Sequence, residues 1–354
     1  MSLVSVIDAA RSRFTVAPAA DADALRAYVS GHADATAYHD PAWLRVINRA
    51  FGHETHCLVA TDPGGAIAGA LPVAYFSSRV FGRFAVSLPF VNYGGVLADS
   101  EAAAQALLDG AITQVRRNGG AHLELRHTRQ RFAALHARRH KVAMRLPLCA
   151  TADGQWNALD RKVRNQIRKA EKSGARVSDG GVELLDAFYA VFARNMRDLG
   201  TPVYSIRFFA EVLDTFPDRT RVFVVSVADE PVAASLVLWH RDMIEVPWAS
   251  AIREFNPLCV NVLLYWQMLR FAAERGFAVF DLGRSTPGEG TFLFKRQWGA
   301  EPLPLVWEYW SADGHSVRDL SPHNPKFDLA IRSWQRLPLR IATAVGPFIV
   351  RNIP

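Results

Sequence analysis

Gly276-Phe277-Ala278-Val279-Phe280-Asp281-Leu282-Gly283-Arg284-Ser285-Thr286-Pro287-Gly288-Glu289-Gly290-Thr291-Phe292-Leu293-Phe294-Lys295-Arg296-Gln297-Trp298-Gly299 decides how this chain is read. Its apolar run, Phe277 to Leu282, has the length and composition of a buried strand. Gly283-Arg284 ends the run, and a loop rich in Gly, Pro, Ser and Thr carries the chain to Phe294-Lys295 and Trp298-Gly299. Lysine is rare, occurring only at Lys141, Lys162, Lys169, Lys172, Lys295 and Lys326, while arginine supplies most of the positive charge. A lysine set between Phe294 and Trp298 can stabilise a developing oxyanion or hold a phosphate. Equally, it can lay its stem on the rings and keep its head in water.

Outward from that stretch the chain reads as two copies of one plan. In the first half, Asp40-Pro41 opens a helix over Ala42 to Ala50. Strands follow over His56 to Thr61, Ala66 to Phe76 and Phe84 to Val91, then a helix capped by Ser100 and a strand over Ala121 to Arg126. In the second half, helices over Asp160 to Ser173, Val182 to Leu199 and Ser205 to Phe216 precede three hairpin-linked strands: Arg221 to Val227, Pro231 to His240 and Met243 to Ser250. A helix over Val260 to Arg275 and strands over Ala278 to Leu282 and Leu303 to Trp310 complete it. Both halves end a meander with a helix, a glycine turn and a strand, Arg116 to Arg126 in one and Glu274 to Leu282 in the other, as tandem duplication requires. The expected fold is α+β, two lobes of mostly antiparallel sheet flanked by helices. The boundaries are expected at 1–150, 151–320 and, for an amphipathic tail, 321–354.

At 354 residues and half hydrophobic, the chain is long enough for two cores. A formal charge of +7 suits polyanionic partners. Cys57, Cys149 and Cys259 are odd in number and scattered, which argues against a disulfide framework or a zinc site. His53 with His56, and His136 with His140, have metal-like spacing but lack a third ligand. No metal and no cofactor is called for. The N-terminus lacks the apolar core of a signal peptide, so a cytoplasmic location is expected.

Several segments resemble a family. Phe280-Asp281-Leu282-Gly283 and Phe294-Lys295-Arg296-Gln297-Trp298-Gly299 resemble the second-lobe motifs of FemAB/FemX-type aminoacyltransferases, and the basic helix Arg161 to Ala170 resembles the start of their second lobe. Tyr38-His39-Asp40-Pro41-Ala42-Trp43, Ser87 to Gly95, Asp198-Leu199-Gly200-Thr201-Pro202 with Tyr204, Phe280 to Ser285 and Asn324-Pro325-Lys326 look closest to the FemAB-related branch of exosortase (PEP-CTERM) exopolysaccharide clusters. The resemblance implies two lobes of the GNAT acyltransferase fold. It also implies transfer of an amino acid from aminoacyl-tRNA to an amine on an envelope or exopolysaccharide precursor. Trp298, where the peptidoglycan enzymes favour Phe, and the absence of a long charged arm set this chain apart from them.

On that basis Lys295 is the candidate for the oxyanion or a phosphate, and Asp281 and Glu245 are rival proton acceptors. Asp281 can instead be a turn acid bonding its own loop, and Glu245 a solvent-facing residue on a half-buried strand. Arg284, Asn261, Trp298, Tyr204, Arg164 and Arg168 are candidate substrate contacts. For the two helix arginines the alternative is a solvated face, and for Trp298 and Tyr204 it is ordinary packing. Coenzyme-A-using GNAT enzymes grip the pyrophosphate with a glycine-rich loop before the corresponding helix. Here that segment reads Arg253-Glu254-Phe255-Asn256-Pro257-Leu258, without glycine. A coenzyme-A-dependent N-acyltransferase and a non-catalytic binding subunit are the rival functions. The basic, aromatic-bearing tail either packs on its own lobe or lies peripherally on the inner membrane face.

Overall fold

The computed structural model describes residues 13–79, 81–314 and 328–354. They form two compact units. One holds the described residues up to Arg139 and those from Pro304 to 314; the other holds His140–Leu303 and the described residues from 328 to 353. A single cut near residue 150 therefore misplaces the return of the chain. The cause is strand pairing: Val306–Ser311 lie in register with His127–His122, which commits that late segment to the first unit.

The first unit is built on strands β1 (Thr15–Pro18), β2 (Glu54–Thr61), β3 (Ile67–Ser78), β4 (Gly82–Val86), β5 (Leu97–Ala98) and β6 (His122–His127). β1 to β4 form an antiparallel meander, β6 runs parallel to β4, and β5 pairs with β3. The helix Glu101–Arg117, whose N-cap Ser100 accepts from the Ala103 amide, buries Ala104, Leu107, Leu108 and Ala111 against Leu58, Leu71, Val73 and Leu123. The expected strand over Phe84 to Val91 stops at Val86. Beyond it the chain turns, with Phe90 at φ 68°, and the Asn92-Tyr93-Gly94-Gly95 segment is buried. Its Gly94 amide donates to the Arg126 carbonyl.

The second unit carries β7 (His136–Pro147), β8 (Arg176–Gly180), β9 (Thr220–Val227), β10 (Glu230–His240), β11 (Met243–Ala251) and β12 (Val279–Ser285), while β13 (Glu301–Ser311) leads back to the first. The order is β7-β12-β11-β10-β9-β8, and the β11–β12 pair alone is parallel. β7, β8 and the helices Ala22–Gly31 and Ala152–Ala158 were not legible beforehand. Helix Val260–Glu274 and the basic helix Arg161–Lys172 share one core with the sheet, joining Leu263, Met268, Val163 and Ile167 to Val237, Ile244 and Phe280. Phe188 and Phe192 of helix Leu185–Leu199 meet Phe209, which packs edge-on against Trp248.

The tail after residue 327 is two helices, Asp328–Gln335 and Leu339–Val350, broken where Pro338 stands. It docks on the second unit. Helix Leu185–Leu199 ends in left-handed Gly200 (φ 78°), whose amide donates to the Arg197 carbonyl, as does that of Thr201 to Met196. A Cβ on Gly200 would lie 2.4 Å from Ile331 Cγ2. The Asp198-to-Pro202 motif thus serves as a helix stop and as the seat of the tail. Gln335 donates to the Asp198 carbonyl, and Arg197 to that of Leu337. Asn324-Pro325-Lys326 lies outside the described residues.

Candidate active site

The candidate site is where β11 and β12 part. They pair in parallel only at Met243–Val279, Ile244–Phe280 and Glu245–Asp281. Past that last pair β12 continues beside β7 alone, and β11 beside β10. In the β10–β11 ladder, Leu236 pairs with Trp248 but Leu238 pairs with Glu245, so β11 carries one extra residue at Val246-Pro247. Pro247 has no N–H to give to a ladder, which suits it to a bulge. The extra residue reverses the side-chain alternation. Ile244 and Val246 belong to the core under helix Val260–Glu274, whereas Trp248 faces Phe208 and Phe209.

Glu245 and Asp281 lie at the fork, and both are buried. The solvent-facing reading of Glu245 is therefore excluded. Asp281 accepts from the Gly283 amide (2.8 Å) and from Arg145 Nε (3.2 Å). The turn-acid reading is thus met in part, since one carboxylate oxygen caps its own loop. Burial drives the Asp281 carboxyl above its ordinary range, against the pull of Arg145 and Lys295.

Lys295 sits on the short helix Gly290–Arg296, which begins inside the expected Gly/Pro/Ser/Thr loop, and is only 7% exposed. Its head is not in water. Nζ donates to the carbonyls of Gly283 (3.0 Å) and Arg284 (2.9 Å). Burial pulls the ammonium down to about 8, with Asp281 and Glu245 opposing and Arg284 assisting. Lys295, Asp281 and Glu245 are thus electrostatically coupled, and Arg284 is exposed on the strand end that Lys295 ties down.

Trp298 is buried beside Tyr265 and Phe294, at ring centroid distances of 6.0 and 6.2 Å. Its Nε1, like the hydroxyl of buried Ser285, has no partner among the described residues. Buried polar groups of this kind are unusual unless a ligand or water completes them. Asn261 stands half-buried in the first turn of helix Val260–Glu274. The other candidates are placed elsewhere. Tyr204 packs on Phe192 and Phe208, and its carbonyl accepts from Tyr189. Arg168 covers Trp156 at 5.4 Å, while Arg164 is half-buried on the same helix.

Sequence reasoning missed Arg145 and Lys141, because β7 was not recognised. Lys141 donates to Thr286 in the loop after β12 (2.7 Å); the scarcity of lysine was the one signal that marked it. The Pro inside the Met243 run was the signal for the bulge.

The segment Arg253–Leu258 is a turn of 3-10 helix, followed by Cys259 at φ 61°. The Phe255 and Cys259 amides donate within it, to Ile252 and Asn256. Among the described residues no group of three His, Cys, Asp or Glu is placed to hold a metal ion. His53 packs at a tilt against Phe76 and His56 pairs with Glu54. No helix among the described residues is long and apolar enough to cross a membrane.

Residues 157–296 match the acetyltransferase (GNAT) domain family, a span that runs from the helix before the basic one to the end of the Lys295 helix. No curated protein matches the chain by sequence. The fold is similar to that of FemX (TM-score 0.63, 13% identity, 83% of this chain and 96% of that one). It is also similar to a tandem GNAT protein from the clavulanic acid biosynthesis pathway (TM-score 0.54, 13% identity, 86% and 100%). A third likeness is to the C-terminal domain of a putative lysylphosphatidylglycerol synthetase from Agrobacterium fabrum (TM-score 0.53, 12% identity, 77% and 88%). The expected α+β architecture of the tandem GNAT kind is therefore the one observed, and by the domain it carries the protein is an acyltransferase.

Proposed function

We propose that the protein transfers an aminoacyl or acyl group, with aminoacyl-tRNA as donor, to an amine on an envelope or exopolysaccharide precursor. The observation that carries the choice of donor is the start of helix Val260–Glu274. A coenzyme A pyrophosphate asks for a run of free backbone amides there. This chain instead offers Pro257, which has no amide proton, and a 3-10 turn that uses amides internally. The likeness to FemX supports the same donor class, and the lysyl and phosphatidylglycerol parts of another neighbour's name agree with an envelope acceptor. The link to exosortase-type exopolysaccharide clusters rests on the sequence resemblance alone.

In this reading the acceptor amine attacks the carbonyl carbon of the aminoacyl ester at the β11–β12 fork. A C–N bond forms, the ester C–O bond breaks, and the proton lost by the amine ends on the departing ribose hydroxyl. Asp281, its basicity raised by burial, and Glu245 are the carboxylates that take up that proton. Lys295, with two N–H groups on Gly283 and Arg284, contributes positive potential where the oxyanion develops. Arg284 meets the phosphate-rich part of a substrate.

Incubating the protein with aminoacyl-tRNAs charged with labelled amino acids and an amine acceptor pool tests this. Label moving to the amine supports the reading. Label moving instead from acetyl-coenzyme A, with none from tRNA, replaces it with the coenzyme-A reading.

A further inference from the structure

The last helix, Leu339–Val350, has two apolar faces. Ala342, Gly346 and Val350, spaced four apart, are buried. Gly346 is where the helix meets the second unit, since a Cβ there would lie 2.8 Å from the Val203 amide nitrogen. The other face carries Ile341, Val345, Phe348 and Ile349 at spacing i, i+4, i+7 and i+8, and all four are exposed, Phe348 by 71%. A soluble surface helix ordinarily puts charge or polar groups on that side.

The charge around the stripe is of one sign. Arg332, Arg336 and Arg340 approach it and Arg351 follows, and from Leu329 to Pro354 there is no Asp or Glu. The three preceding arginines are exposed. An apolar stripe flanked by arginine in an acid-free stretch of sequence is complementary to an anionic bilayer surface, where rings and branched chains enter the headgroup boundary and arginines meet phosphates. Docking of the tail on its own unit does not compete with this, because the two contacts use different residues on adjacent faces of one helix.

We infer that the outer face of helix Leu339–Val350 is a peripheral membrane anchor for anionic bilayers, with Phe348 and Ile341 as its inserting side chains. It is independent of the donor and of the acceptor's identity. It makes the tail at once a structural part of the second unit and a membrane contact, whereas the sequence presented these as alternatives.

The test is cosedimentation of the full chain with sucrose-loaded vesicles. The expected result is binding to mixed phosphatidylglycerol–phosphatidylcholine vesicles at low salt, little to phosphatidylcholine alone, and loss of binding in high salt. Phe348→Glu and Ile341→Glu each lower partitioning by about tenfold or more, with the melting transition retained because both side chains already face solvent. Arg336→Glu with Arg340→Glu removes the preference for the anionic lipid. If a variant loses its melting transition, the lipid and salt dependence of the wild-type chain decides. Absence of binding at low salt overturns the inference, as does binding that Phe348→Glu leaves unchanged. So does a wild-type dimer that Phe348→Glu splits without any vesicle binding, which assigns the stripe to a second copy of the chain.

Discussion

Glu245 and Asp281 are register partners on adjacent parallel strands, the last pair before those strands separate. Burial raises the Asp281 carboxyl, and Arg145 and Lys295 supply opposing positive charge. The arrangement holds proton-accepting capacity and positive potential at one fork in one sheet.

Removing the cation should affect both chemistry and folding. Lys295→Met is expected to lower turnover by about a hundredfold or more. It also strips Gly283 and Arg284 carbonyls of a donor and leaves buried Asp281 short of a counter-charge, a loss on the order of 3 kcal/mol. Urea unfolding and single-turnover transfer measured on the same preparation separate the two effects. A variant with full turnover removes Lys295 from the mechanism.

The lowered Lys295 ammonium has a signed consequence for stability. Between its folded value of about 8 and its higher unfolded value, the unfolded chain holds a proton that the folded chain has lost. Stability from this group therefore rises with pH through that window, by at most about 1.4 kcal/mol per pH unit. Wild type minus Lys295→Met, measured by urea unfolding from neutral pH into the alkaline range, should show the gain. A flat difference means that the folded ammonium keeps its ordinary affinity for the proton.

Donor preference is separable from turnover. Isothermal titration with acetyl-coenzyme A is expected to show no micromolar binding, because Pro257 and the 3-10 turn stand where a pyrophosphate loop is needed. Micromolar affinity, with protection mapped to the start of helix Val260–Glu274, would reverse the donor assignment.

The seat of the tail is tested at Gly346. Gly346→Val forces side-chain atoms against the Val203 backbone and is expected to cost about 1–3 kcal/mol, as overpacking does. Limited proteolysis should then cut earliest within 328–354. Protection equal to wild type would mean that the helix shifts without leaving its place.

Much of the fold was legible because its signals are local. Ser100 marked a cap, the apolar spacing carried the helix over Val182 to Leu199, and the two meanders showed their hairpin turns. β7 escaped because its first half, His136 to Lys141, is dense in charge and lacks an apolar alternation. The site was half legible. Lys295 and Asp281 stood out through a motif, and Glu245 as an acid in an apolar run. Their burial, and the approach of Arg145 from a strand far away in sequence, are set by register, which one strand's sequence does not contain. Tyr204 stayed open between two readings, because an aromatic after a Gly-Pro-bearing turn looks the same whether it lines a cleft or packs on Phe192 and Phe208.

The return of β13 to the first unit sets an order of events on the ribosome. All of His140–Leu303 must be made before Val306–Ser311 emerge to pair with β6. At ribosomal rates that interval is on the order of ten seconds. Throughout it β6 is a bare edge, and the acceptor for His127 Nδ1 and for the Arg131 and Phe132 amides, the Glu308 carboxylate, does not yet exist. The first unit therefore waits for a strand made only after the whole sheet of the second, and through that interval the nascent chain carries an open strand edge, a template for mispairing.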